Sequence, residues 1–404
     1  MKVLFSATLF VMATALFVSA YCYAESSPEP LKIGVLNDQS GPYAEVTGKG
    51  SVLAAQMAVE DFGGKVIGRP IQVVAADHQN KPDLGVSIAR SWYDAEKVSA
   101  IFDVPASAVA LGVLEMARNR NKIVVFSGAA SPDLTGKFCA GTSFGWSYDS
   151  YSLASGTARA LVKTGAETWY FLTVDSTAGM AIERDASSVV TAAGGKVLGS
   201  VKHPLNTHDF ASFLLRAQQS GAKVIGLANA GHDTVNSIRQ ATEFGIPQGG
   251  QRVAGMLVLA NDVHSIGLEA ARGIFATESF YWDMNDETRA WSKRFMKANG
   301  GRPANMIQAG VYSAVLHYLK ALNKVGADDG LAVAAAMKAM PVEDFYTKGA
   351  VVRTDGRVLR DMYLLQAKAP SESKSEWDLY TIVARIPPEE AFRSLAESGC
   401  PLAK

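Results

Sequence analysis

Short β-branched runs alternate with amphipathic stretches along residues 32–257, and that rhythm leaves few folds open. Strands are predicted at Lys32–Leu36, Ile71–Ala75, Ala100–Val104, Lys122–Ser127, Thr168–Val174, Lys196–Val201, Lys223–Ala228 and Arg252–Leu257. Between them apolar residues recur at helical spacing, as Leu53, Met57 and Phe62 do within Gly50–Phe62. Further helices are predicted over Leu84–Ala95, Ser107–Arg120, Tyr151–Thr164, Thr177–Ala193, Phe210–Gln219 and Asp233–Phe244. Gly63-Gly64 and Gly194-Gly195 close two of them, because glycine ends a helix in a left-handed conformation without a Cβ clash. Strand–helix alternation at this spacing builds parallel sheets covered by helices on both faces.

The rhythm breaks at Phe144–Tyr148 and again at Phe275–Trp282. A third break is expected near Pro341–Val351, ahead of late strands at Tyr363–Ala367 and Leu379–Ile386. These breaks read as crossings between two lobes. The expected division is 29–146 with 278–345 in the first lobe, 147–277 with 346–386 in the second, and 387–404 as a tail. The fold class is therefore α/β: two doubly wound lobes with parallel sheets, joined by a multi-stranded hinge. Ligands of open α/β sheets sit at the carboxyl ends of the strands, so the cleft between the lobes is the expected site.

The N-terminus bounds the function. Lys2, the apolar run Val3–Val18 and the segment Cys22-Tyr23-Ala24 read as a secretory signal over residues 1–24. The run is too short and interrupted for a membrane span of about 20 residues. Export argues against a cytoplasmic role in nucleotide metabolism. With 39 basic and 39 acidic residues the chain offers no basic face for nucleic acid. Of the three cysteines, Cys22 is expected to leave with the signal; bulky Tyr21 argues against its serving as a lipid anchor. In an oxidising compartment Cys139 and Cys400 are expected to form a disulfide, with two free thiols as the alternative.

Three motif matches fail on physical grounds. The stretch Gly41–Gly50 looks like a phosphate loop, but its glycines are misspaced and Gly50 stands where a Mg²⁺-binding hydroxyl belongs. Gly141-Thr142-Ser143-Phe144-Gly145 fits a nucleophile elbow, which needs a buried strand leading directly into the serine. Only Phe138–Ala140 is left for that strand, so a serine hydrolase using Ser143 is the minor alternative. His203 and His208 lack the partners of a metal site. Neither metal nor cofactor is expected, and the chain is read as a non-enzyme.

Several segments, in their order along the chain, carry a resemblance. They are IGVLNDQSGPYAEVTGKG, GGKVIGRPIQVVAADHQNKPD, FSGAASPDLTGK, the Asp175–Met180 loop after its strand, and VIGLANAGHDTVNSIRQATEFGI. Together, across residues 31–386, the chain resembles the type I periplasmic binding proteins, the leucine/isoleucine/valine receptors of ABC transporters. The resemblance implies a clamshell that closes on a small solute and presents it to a membrane permease, or alternatively to a signalling partner. It implies that a ligand carboxylate is held on the first lobe, at Ala106-Ser107 and at Gly128-Ala129-Ala130-Ser131. Ser131 there reads as an N-cap before Pro132, and helix N-termini suit anions. Tyr43 would pack over the ligand, and Trp146 would be either an aromatic wall or hinge core. The second lobe would contribute Ala178, Asn229, Ala230, Asp233, Asn261 and Asp262. Small Ala178 stands where the amino-acid receptors place an aromatic, and neither Asp262 nor Asp233 aligns securely with their ammonium-binding carboxylate. A buried ammonium needs a paired carboxylate. The departures therefore admit aromatic or keto acids beside branched-chain amino acids.

Overall fold

The computed structural model describes residues 28–403; the signal read over 1–24 and Cys22 lie outside them. The first sheet runs β1 (Leu31–Asn37), β2 (Lys65–Val66), β3 (Arg69–Asp77), β4 (Val98–Asp103), β5 (Ile123–Phe126) and β6 (Ser143–Gly145), ordered β2-β3-β1-β4-β5-β6. All its pairings are parallel except the antiparallel β2–β3 ribbon. Alternate side chains enter different cores, as a strand of period two requires. Ala100 and Phe102 pack with the helices Gly48–Phe62 and Met306–Val325, whereas Ile101 packs with Pro82–Asp94 and Ser107–Arg118. Burial on both faces is why these strands read as unbroken apolar runs.

The second sheet contains β7 (Thr168–Val174), β8 (Lys196–His203), β9 (Val224–Ala228) and β10 (Arg252–Gly255), parallel throughout and ordered β10-β9-β7-β8. Trp169 and Phe171 face the helices Ser150–Lys163 and Thr177–Ala192, while Leu172 faces Ala211–Gln219 and His232–Glu243. Two doubly wound layers result, as the alternation predicts.

The hinge holds the remaining strands: β11 (Phe275–Glu278), β12 (Val342–Glu343), β13 (Lys348–Val352), β14 (Val358–Leu359), β15 (Met362–Ala367) and β16 (Tyr380–Ile386). β11, β15 and β16 form one antiparallel sheet and β12, β13 and β14 another. Here the chain departs from the expected third crossing. Residues 342–359 stay against the helices Met306–Val325 and Gly330–Ala339 on the first-lobe side. A bridge from Gly145 to Arg357 holds them there. The change of side follows at Arg360-Asp361; strands of two to five residues are too short to carry a periodic signal that marks it.

Cys139 and Cys400 are joined in a disulfide across 261 residues of chain. The terminal segment it anchors crosses both lobes. Arg393 ion-pairs with Asp185 on the second-lobe helix Thr177–Ala192 at 2.8 Å, and the Ala391 carbonyl accepts from Ser155 at 3.1 Å.

Candidate functional site

The cleft is shaped by backbone strain at the end of β4. Asp103 and Val104 sit at φ +79° and +45°, a region that L-residues avoid and a β-branched valine most of all. That turn aims the chain into the helix Ser107–Arg118 and packs Pro105 against the loop after β5. A Cβ on Gly128 would lie 2.8 Å from Pro105, so this loop tolerates only glycine there. Buried Asp103 accepts from Asn37 at 3.0 Å, and desolvation lifts its carboxyl to about 7.

The amides of Gly128, Ala129 and Ala130 donate to no protein acceptor among the described residues. Beside them Ser107 Oγ accepts from the Ser131 amide at 3.3 Å, which leaves its own O–H free to donate. The Gly128 carbonyl is taken by the Tyr148 hydroxyl at 2.5 Å. Successive backbone N–H groups left unpaired in a turn make an anion-binding concavity.

These loops form one wall of a cavity enclosing about 510 Å³ of empty space, part of it continuous with solvent. Seven of the residues expected in the site line it: Tyr43, Gly128, Ala130, Ala178, Asn229, Ala230 and Asp262. Tyr43 is held by its amide bonding to Asp38 at 2.9 Å, and burial raises its hydroxyl pKa. Asn229 is oriented by Thr234, whose hydroxyl donates to its Oδ1 at 2.8 Å.

The other expected residues lie elsewhere. Ala106 and Ala129 pack into the core behind the loop. Ser107 does not line the cavity but bonds the Ser131 amide of the same loop. Ser131 precedes only the three-residue 3₁₀ turn Pro132–Leu134 and makes no capping bond, so the expected helix N-terminus is not formed there. Trp146 is hinge core: fully buried, it donates from Nε1 to Ser313 Oγ at 2.9 Å. Asp233 turns its carboxylate to the amides of Asn206 at 3.1 Å and Thr207 at 2.8 Å. Asn261 joins the lobes, accepting from Asn305 at 2.9 Å while Asn305 also donates to the Val46 carbonyl. Ser143 lies within β6, hydrogen-bonded to Ala140, with no elbow about it.

Other lining residues had no sequence signal, Val46, Tyr148, Ile182, Leu257 and Ile307 among them. Most are apolar, and an apolar residue beside a cleft looks like any core residue until the lobes are assembled. Asp262 is the lone carboxyl lining the cavity. Its Oδ2 accepts from the Leu259 amide at 2.9 Å, and desolvation pushes it up to about 7.

The wall of this cavity comes from both sheets' carboxyl ends, the place where a clamshell receptor takes its solute. Residues 30–374 match the periplasmic binding protein family. The chain belongs to that family. It is 45% identical to a periplasmic binding protein from Burkholderia mallei, with a TM-score of 0.91 over 93% of this chain and all of that one. A Burkholderia xenovorans branched-chain amino acid ABC transporter ligand-binding protein is 41% identical, with a TM-score of 0.83 over 93% of this chain and 100% of that one. A Rhodopseudomonas palustris ABC-transporter solute-binding protein in complex with benzoate shares the fold, with 21% identity and a TM-score of 0.80 over 92% of this chain and 100% of that one.

As in any such receptor the lobes must meet around the ligand, and here they touch at Gly231. It sits at φ +59°, its neighbour His232 donates to the Pro42 carbonyl at 3.4 Å, and an added Cβ would fall 2.5 Å from that oxygen. Gly231→Ala is expected to weaken solute binding about tenfold, equivalent to about 1.4 kcal/mol against the closed arrangement. Isothermal titration of wild type and variant checks this; equal affinities would mean that the Pro42–Gly231 contact does not govern closure.

Proposed function

We propose that this periplasmic binding protein, exported by the signal at 1–24, delivers a small amine-free carboxylate, an aromatic or keto acid, to an ABC permease. The observation that carries the reading is the pairing of unfilled amides at Gly128 and Ala130 with a cavity that offers no ready cation site. The first lobe takes the carboxylate on those amides with the Ser107 hydroxyl behind them. Val46, Leu257, Leu259 and Ile307 cover the apolar body, and small Ala130 and Ala178 leave room for a ring. Tyr43, Asn229, Ala230 and Asp262 complete the contacts. An ammonium would need an ionised carboxylate, yet Asp233 already serves the Asn206 and Thr207 amides, and Asp262 is pushed towards its neutral form. The benzoate bound by the Rhodopseudomonas protein accords with this ligand class. The permease then recognises the closed lobes.

A thermal-shift screen of the ligand-stripped mature protein against aliphatic amino acids and against aromatic and keto acids tests the proposal. A true ligand at 100 times its Kd adds about 2.7 kcal/mol of stability. Shifts confined to the amine-free acids are the expected result. Shifts confined to amino acids would return the site to an ammonium binder.

A further inference from the structure

Asp262 is 4% exposed, lines the cavity, and uses only Oδ2 within the protein, towards the Leu259 amide. Its Oδ1 makes no hydrogen bond to the protein and is not among the side-chain oxygens closed off from solvent. That oxygen therefore remains available to a solute. Behind Asp262 stands Glu278, at the end of β11 and 1% exposed. Both Glu278 carboxyl oxygens are closed off from solvent and take no hydrogen bond among the described residues. Tyr380 on β16 is the other titratable group beside the pair. Tyr43 and Tyr148 line the cavity with Asp262, and no lysine, arginine or histidine does. Neither carboxyl joins an ion pair among the described residues.

Two carboxyl groups buried side by side without a cation cannot both stay ionised. Glu278, deeper and more completely enclosed, is driven well above the usual carboxylate range, with Asp262 contributing to the rise. A ligand carboxylate entering the same cavity adds a further negative charge and holds the proton on Asp262 more firmly.

We infer that Asp262 meets the solute as an uncharged carboxyl and donates a hydrogen bond through Oδ1 to a ketone or hydroxyl oxygen, selecting oxygen-bearing carboxylates over plain ones. The inference rests on the carboxylate reading above and adds to it a second polar contact from the opposite lobe. Because the liganded protein holds a proton that the free protein partly releases, affinity falls as pH rises through the titration of Asp262. An ammonium ligand would do the reverse, gaining affinity as Asp262 ionises.

The test compares three carboxylates on one skeleton, 4-methyl-2-oxopentanoate, 4-methylpentanoate and leucine, with 4-hydroxybenzoate and benzoate as an aromatic pair. Kd is measured by isothermal titration from pH 6 to pH 9 on wild type, Asp262→Asn, Asp262→Leu and Glu278→Gln. The oxygen-bearing member of at least one pair is expected to bind at least about tenfold tighter at pH 6, the order of one hydrogen bond in a dry site. Its Kd should then rise up to about tenfold per pH unit once Asp262 ionises. Asp262→Asn, which keeps a donor but cannot titrate, should give a flat profile, and Asp262→Leu should abolish the preference. Glu278→Gln should retain a pH dependence.

Equal binding within both pairs overturns the inference while leaving the carboxylate receptor intact. A profile lost in Glu278→Gln but kept in Asp262→Asn does the same, whereas leucine binding tightest with affinity that grows with pH overturns the amine-free reading and this inference together. If Asp262→Leu fails to fold, the wild-type pairs and the Asn variant still decide. Silence from every carboxylate removes the proposed function, and this inference with it.

Discussion

Trp146→Ala is expected to destabilise the protein by about 3–5 kcal/mol, the range for emptying a buried large aromatic, while solute affinity stays within about threefold, under 1 kcal/mol. Trp146 sits just past β6, where the chain leaves the first sheet, and none of its surface is exposed. Its ring lies 5.4 Å from that of His317 and 6.0 Å from the Arg360 guanidinium. Its Nε1 holds Ser313, whose hydroxyl in turn reaches Asp344 beside β12. Truncation therefore leaves a cavity and costs the Ser313 oxygen its indole donor, while its bond to Asp344 remains. Denaturant midpoints measure the first effect and calorimetric titration well below the transition measures the second. A large loss of affinity with stability unchanged would return Trp146 to the ligand wall.

Breaking the Cys139–Cys400 bridge, by reduction or by the double serine variant, is expected to lower stability by about 2–5 kcal/mol. The bond closes a loop of 261 residues, so it removes a large conformational freedom from the unfolded chain. It also pins the terminal segment that carries Arg393 to Asp185 on the second lobe. Cys139 and Cys400 are 6% and 5% exposed, so mild reductant should act slowly on the folded protein. Melting curves of the oxidised, reduced and Cys139→Ser/Cys400→Ser forms provide the measurement. Coincident curves would mean that the tail stays docked without the bond.

Much of the fold was legible because it rests on local periodicity. Each central strand is buried on both faces, so it reads as a short apolar run, and each helix carries its stripe at a spacing of three or four. Where burial thins, the reading failed. β12 and β14 are two residues each, and residues 346–359, expected in the second lobe, lie against first-lobe helices. The loop after β5 was read as an anion site, with Ser131 among its donors. Ser131 looked like a cap because serine before proline usually is one, but only three residues of 3₁₀ turn follow it. The backbone amides around Gly128 carry no side-chain signature at all.

The candidate carboxylates illustrate the same limit. Asp233 and Asp262 each begin a second-lobe helix and looked alike as partners for an ammonium. Assembly separates them: Asp233 is consumed by the amides of residues 206 and 207, whereas Asp262 keeps one oxygen for the cavity. Charge state depends on desolvation summed over every neighbour, which no spacing within a helix reports.

The sequence by itself determined the two parallel layers, the cysteines available to pair and the loops that border the cleft. Those follow from short-range chemistry: strand and helix periods, glycine at helix ends, and polar residues where strands stop. Only the tertiary structure decided which atoms of those loops face the solute. Ile307 and Val46, 261 positions apart, line one cavity, and Asp262 loses its preference for charge through desolvation, because burial is a property of the assembled neighbourhood.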